Sequence, residues 1–119
     1  MSTTASIKNY VNFTGDLDQE VILDSGSLTD SVAIQNLISL DSGNNEITVP
    51  DVEDYTVHGV VIVPPALNEV EPVIKGVAGD TGITLSATQA SVWQFGATPP
   101  ASIVISVAEA VAGFRLIWF

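Results

Sequence analysis

The feature that most constrains the fold of this chain is a series of short runs in which every second residue is apolar. From Ile103 to Val107, the apolar residues Ile103, Ile105 and Val107 alternate with Val104 and Ser106. A period of two places alternate side chains on opposite faces of an extended strand, whereas an amphipathic helix has a period near 3.6. The run therefore predicts a strand, and no segment of the chain shows a convincing helical stripe.

The chain ends on a second alternating run, in which both faces are largely apolar. One face carries Phe114, Leu116 and Trp118, and the other carries Arg115, Ile117 and Phe119. A strand that ends on two aromatic residues without a polar tail is expected to be fixed inside a sheet or an interface.

Other strands are predicted where apolar runs lie between turn signals. Residues 57–63 form a nearly continuous apolar run closed by Pro64 and Pro65, which is typical of a central strand buried on both faces. Shorter candidate strands lie at 20–23, 32–40, 46–49, 70–77, 83–85 and 92–95. Turns rich in Gly, Asp, Asn, Ser or Pro are predicted at 24–26, 42–45, 79–82 and 98–100.

Eight or nine short strands with tight turns predict an all-β fold, an antiparallel β-sandwich or a jelly-roll-like domain. A length of 119 residues fits one domain, which we place at residues 9–119. Residues 1–8 show no pattern, and we interpret them as a flexible N-terminal arm that becomes ordered on assembly.

Charge is unusually sparse in this chain. Only 14% of the residues are charged, against about 25% in a typical soluble domain, while the apolar fraction is 46%. A small domain with so few charges is easiest to explain if neighbouring protein subunits cover part of its surface. The composition therefore predicts an oligomer.

The charges that remain are strongly acidic. Fourteen acidic residues stand against Lys8, Lys75 and Arg115, which gives a formal net charge of -11. Three dispersed basic residues cannot form the Lys and Arg cluster that neutralises phosphates, so nucleic acid is not an expected partner. Ten of the acids lie between Asp16 and Asp54, and this half is expected to face solvent or a basic partner.

Covalent cross-links and membrane insertion are not expected. The chain has no cysteine for disulfides or thiolate metal sites. Its first residues lack the basic and apolar regions of a signal peptide, and the apolar run at 59–63 is too short to span a membrane. We expect a soluble protein made in the cytoplasm.

The acidic residues provide one metal-like pattern. Asp16, Asp18 and Glu20 have the alternating spacing that opens a calcium-binding loop, but Val21 stands where that loop needs Gly and Ser27 where it needs a bidentate Glu. We therefore expect no metal site and no cofactor.

Short motifs that could suggest catalysis have simpler structural interpretations. The triplet Asp80-Thr81-Gly82 is the active-site sequence of retroviral-type aspartic proteases, but Ala78 and Gly79 precede it where those enzymes have an apolar strand. A Gly-rich loop is the better interpretation. A serine-protease triad needs a histidine as its base, and His58 is the only histidine in the sequence. It lies inside the apolar run at 57–63, where a structural role is expected. We expect the chain not to be an enzyme.

Aromatic residues at strand spacing form the candidate interaction site. Trp93, Phe95, Trp118 and Phe119 could form a platform on which sugars stack, but the default for such residues is a core or a subunit interface. The candidate interface residues are Trp93, Phe95, Phe114, Leu116, Trp118 and Phe119.

Three segments carry a resemblance to a known class of proteins: VVIVPP at 60–65, IKGVAGDTGI at 74–83 and GFRLIWF at 113–119. The half of the chain that contains them resembles small virion proteins of tailed bacteriophages. The resemblance implies a β-sandwich component of the particle, often trimeric, located in the virion. It favours a head decoration (cement) protein that packs on the major capsid protein, with a tail or host-recognition, carbohydrate-binding module as the alternative. No site residue follows from it.

Overall fold

A computed structural model of the chain describes residues 3–13 and 19–31 as backbone and residues 33–119 with their side chains. These ranges contain strands and no helix, as the alternation of apolar residues predicts. The ten strands are β1 (Thr3–Phe13), β2 (Gln19–Ser31), β3 (Ile34–Leu40), β4 (Gly43–Thr48), β5 (Gly59–Val63), β6 (Val73–Lys75), β7 (Ile83–Thr84), β8 (Ser91–Gln94), β9 (Ser102–Val107) and β10 (Val111–Trp118).

Eight of these strands form two antiparallel sheets that pack against each other. One sheet has the order β3-β10-β5-β8 and the other has the order β4-β9-β6-β7. The strand pairs correspond to one long hairpin whose turn lies at residues 76–82 and which is rolled up into two layers. Its pairs are β3–β10, β4–β9, β5–β8 and β6–β7. This is the topology of an eight-stranded jelly roll, so the predicted fold class is confirmed.

The core lies between the two sheets and follows the period of two in the sequence. β9 contributes Ile103, Ile105 and Val107, and β5 contributes Val60 and Ile62. From β10 come Phe114, Leu116 and Trp118. Because inward residues of the two layers interdigitate, apolar packing holds the sheets together in a chain without disulfides.

Strands β1 and β2 form a separate two-stranded sheet. Within the described ranges, neither strand joins the backbone ladders of the sandwich. The turn predicted at residues 24–26 is wrong, because these residues lie inside β2. Ser6 pairs with Ser27 while Lys8 pairs with Asp24, so β2 contains one extra residue there. The Asp-Ser-Gly sequence is therefore accommodated as a β-bulge rather than a chain reversal.

The N-terminal arm predicted at residues 1–8 falls mostly within β1. Thr3 to Lys8 belong to that strand, whereas Met1 and Ser2 lie outside the described residues. Whether this segment acts as an arm that becomes ordered on assembly stays a prediction.

Candidate interaction surface

The outward side of the β3-β10-β5-β8 sheet is largely apolar. In one row across the sheet, Leu37 is paired with Arg115, and Arg115 with Val63. In the next row, the exposed Gln35 is paired with Ile117, Ile117 with Val61, and Val61 with Val92. Residues paired across neighbouring strands share one face of a sheet, so these side chains form a continuous patch. We call the set Leu37, Val61, Val63, Val92 and Ile117 the outer apolar face.

Nothing among the described residues covers the ends of this face. Leu37 is 74% exposed and Val92 is 46% exposed, and they lie on the two edge strands of the sheet. Val61, Val63 and Ile117 lie between them and are half-buried. Arg115, which is exposed, is the single charged residue on these two rows. Contiguous exposed apolar residues around a polar group are typical of a protein interaction site.

The outward side of the β4-β9-β6-β7 sheet has the opposite character. Its side chains are mainly polar and include Asn44, Glu46, Thr48, Lys75, Thr84, Ser102 and Ser106. The Lys75 Nζ donates a hydrogen bond to the Asn44 Oδ1 at 3.0 Å. Val73 and Val104 are the apolar exceptions: Val73 is half-buried between Ser106 and Thr84, and Val104 is paired with Glu46 and Lys75 and is only 4% exposed. The long side chains of Glu46 and Lys75 can shield Val104 from water. This face of the sheet is therefore suited to contact with solvent.

The total exposed surface is large for the size of the chain. The accessible surface is 7478 Å². A compact folded monomer of 12.5 kDa is expected to expose about 6,200 Å². The excess of about 1,300 Å² is larger than the roughly 800 Å² that each partner buries in a standard protein interface. This total covers the whole chain, including the separate β1-β2 sheet, so it does not locate the excess on any one face.

The residues predicted for an interface lie mainly in the core. Phe114, Leu116 and Trp118 are each 0% exposed in the isolated chain, so they cannot contact a partner. The alternation that grouped them is correct, but that face of β10 points between the sheets. The candidate surface on this strand is therefore its opposite face, where Arg115 is exposed and Ile117 is half-buried.

The remaining aromatic candidates are also packed against the sandwich. Trp93 and Phe95 are partly buried against the core cluster, and the Trp93 indole Nε1 is buried without a hydrogen-bond partner. Phe119 is 9% exposed, and its ring lies against Gly59. These side chains therefore do not form the exposed row that sugar stacking requires.

The outer apolar face was missed because three of its members look like core residues in the sequence. Val61 and Val63 belong to a run that predicts a strand buried on both faces, and Ile117 follows the aromatic alternation of β10. The sequence did contain a signal for this face, because β5 and β10 are largely apolar on both sides and only one side can point into the core. A two-layer sandwich buries only one face of each sheet.

Residues considered for catalysis have structural contacts. Asp80 closes the Gly-rich loop between β6 and β7: its Oδ2 accepts a hydrogen bond from the Val77 amide at 3.0 Å, and its own amide donates to the Val77 carbonyl at 3.1 Å. The His58 amide donates to the Phe119 carbonyl at 2.6 Å, and the His58 carbonyl accepts from the Phe95 amide at 2.7 Å. The backbone of His58 thus connects β8 and the C-terminus.

The calcium-like pattern of acidic residues lies only partly within the described structure. Asp16 and Asp18 of the calcium-like pattern lie outside the described residues, and Glu20 lies in β2. In the part of the chain that the structure describes, no three His, Asp or Glu residues are placed to hold a metal ion.

Comparisons with protein-family models, with curated proteins and with solved structures found no match to this chain. Its function is therefore inferred from its own sequence and structure. Within the described residues, no helix is long and apolar enough to cross a membrane.

Proposed function

We propose that this chain is a non-enzymatic structural protein of a tailed-bacteriophage particle, a head decoration protein that associates with other copies and packs on the capsid shell. The observation that carries the proposal is the outer apolar face, an apolar sheet surface whose ends nothing among the described residues covers. Association with neighbours removes that surface from water.

In this proposal the outward faces of the two sheets have different roles. The outer apolar face contacts the shell, and the polar side of the β4-β9-β6-β7 sheet faces solvent. Arg115 lies within the contacting face of a chain whose net charge is -11. An acidic group on the partner would complement this guanidinium and fix the orientation of docking more than it would add affinity.

The fold is compatible with this role without specifying it. Eight-stranded jelly rolls occur in viral capsid domains, in lectins and in cupins, and a shared architecture does not define a function. The phage context comes from the resemblance of residues 60–65, 74–83 and 113–119 to small virion proteins. The trimeric state that this resemblance implies stays a prediction.

A quantitative mass inventory of purified particles tests the proposed location. A decoration protein is expected at a copy number close to that of the major shell protein. A handful of copies per particle, or absence from the particle, would contradict the proposal.

The contact face can be tested with Val92→Asp. The substitution places a carboxylate on the outer apolar face, where docking would remove it from water without a partner. We expect the affinity for the particle to fall by about tenfold or more, which corresponds to about 1.4 kcal/mol or more, and occupancy to fall with it. Thr48→Asp is the matched control, because it adds the same charge to an exposed position on the polar sheet. Equal occupancy of the two variants would show that docking uses another surface.

A further inference from the structure

Strand β3 presents an open sheet edge. On one side, its seven residues from Ile34 to Leu40 pair with β10. On the other side, no described strand pairs with it. An edge of this kind leaves backbone N–H and C=O groups free to pair with another strand.

The other three edges of the sandwich are short or carry a charge. β7 has two residues and β8 has four. β4 has six residues, which begin with Gly43 at a positive φ and include Glu46. Short length and charged side chains are the features by which sheet edges avoid unwanted pairing.

β3 lacks these protective features. Its sequence, Ile-Gln-Asn-Leu-Ile-Ser-Leu, contains no charged residue, no proline and no glycine. The register shift in the ladder with β10 lies between Ala112 and Phe114, so the extra residue is on β10 and β3 stays regular. The longest edge strand of the sandwich is thus also its least protected.

The chain does not cover this edge with its own preceding strand. β2 ends at Ser31, only two residues before β3 begins, yet β2 pairs with β1. The segment closest in sequence to the open edge is therefore already paired elsewhere.

We propose that β3 pairs antiparallel with β3 of a second copy, about a two-fold axis at Leu37. This inference rests on the proposed self-association and names its contact. In that register, Leu37 lies opposite Leu37 of the other copy, and Gln35 lies opposite Ser39. Every residue on the strand is neutral, so each outward pair is apolar or able to hydrogen-bond.

Charge favours this edge over the alternatives. With a net charge of -11, two copies repel each other, and an edge without carboxylates avoids adding to that repulsion at the contact. Antiparallel self-pairing of β4 would place two Glu46 carboxylates near each other, whereas β3 contributes none. Pairing at β3 also joins the two β3-β10-β5-β8 sheets into one, so that their outer apolar faces become continuous. A paired molecule would present the shell with twice the apolar surface.

A charge-exchange experiment on the full chain tests this contact. Leu37→Lys and Leu37→Glu each place like charges opposite one another across the two-fold axis, and Leu37 is exposed enough that both variants are expected to fold. By native mass spectrometry, with one variant isotopically labelled, we expect the unmodified chain at twice its mass of 12.5 kDa. Each variant alone is expected at the monomer mass, and an equimolar mixture is expected to restore a mixed dimer.

The control pair is Thr48→Lys and Thr48→Glu, which make the same charge changes on the polar sheet and are expected to leave the dimer intact. A mixture of the two Leu37 variants that stays monomeric would overturn the pairing. So would trimers that both Leu37 variants leave unchanged, although the proposed self-association would then stand. An unmodified chain that stays monomeric and is absent from the particle would overturn both proposals.

Discussion

The Phe114→Ala variant is expected to lose about 3–5 kcal/mol of its free energy of unfolding. Phe114 lies on β10 with a fully buried ring in the core cluster between the two sheets. Removing the ring loses its transfer from water and leaves a cavity that packed neighbours fill only in part. Because small domains are stable by about 5–15 kcal/mol in total, this change alone brings the chain close to unfolding.

Urea unfolding followed by the fluorescence of Trp93 and Trp118 measures this loss. Arg115→Ala is the matched control, since Arg115 is the next residue of the same strand and is exposed on the other side of the sheet. The control is expected to change stability by no more than about 0.5 kcal/mol. A loss below about 1 kcal/mol for Phe114→Ala would mean that the ring is not packed between the sheets.

Gly59→Ala is expected to destabilise the sandwich by about 3 kcal/mol, although it adds only one methyl group. A Cβ at Gly59 would lie 2.6 Å from the Phe119 Cζ and even closer to the Trp93 carbonyl oxygen. The ring can turn away, but the carbonyl belongs to β8, which pairs with β5 at this position. The backbones of the two strands would have to separate to admit the new atom.

Equilibrium unfolding of three variants separates these two clashes. Gly96→Ala is the control, because a Cβ there meets nothing within 4 Å. Adding Phe119→Ala to Gly59→Ala removes the contact with the ring and leaves the contact with the Trp93 carbonyl. The double variant is therefore expected to be no more stable than Gly59→Ala. If Gly59→Ala were as stable as Gly96→Ala, β5 and β8 would not approach as closely as the structure has them.

The sandwich was predictable because its burial follows strand periodicity. In β9, Ile103, Ile105 and Val107 point inward as the alternation predicts, and the run at 57–63 contains β5. The boundaries were less accurate. β4 begins at Gly43, inside the predicted turn. This glycine has a φ of +97°, so the same residue can form the bend and be the first residue of the strand.

Strand β1 was not predicted because residues 1–8 show no pattern of apolar residues, although residues 3–8 lie in this strand, which pairs with β2. Only residues 20–23 of its partner β2 were identified as a strand, and the Asp-Ser-Gly sequence indicated that this strand should stop. Turn residues predict local conformation well, but they do not reveal whether a neighbouring strand will accept an extra residue in the ladder.

Residue type alone could not show which aromatic residues lie in the core and which apolar residues stay exposed. Phe114 and Trp118 have the size and aromatic character of interface residues, yet the same properties suit a core, because both environments remove the ring from water. Only the layering of the sheets decides which face of β10 is covered within the chain. Once that is known, the apolar character of the other face becomes informative, because water alone would favour polar residues there.

The central claim is that this chain buries its remaining apolar surface by associating with other copies of itself. Sedimentation velocity of the unmodified protein over a wide concentration range, at about 0.15 M salt where charges are screened beyond about 8 Å, tests it most directly. The account predicts a mass of at least twice 12.5 kDa that persists on dilution into the micromolar range. A single species of 12.5 kDa at every concentration would contradict it.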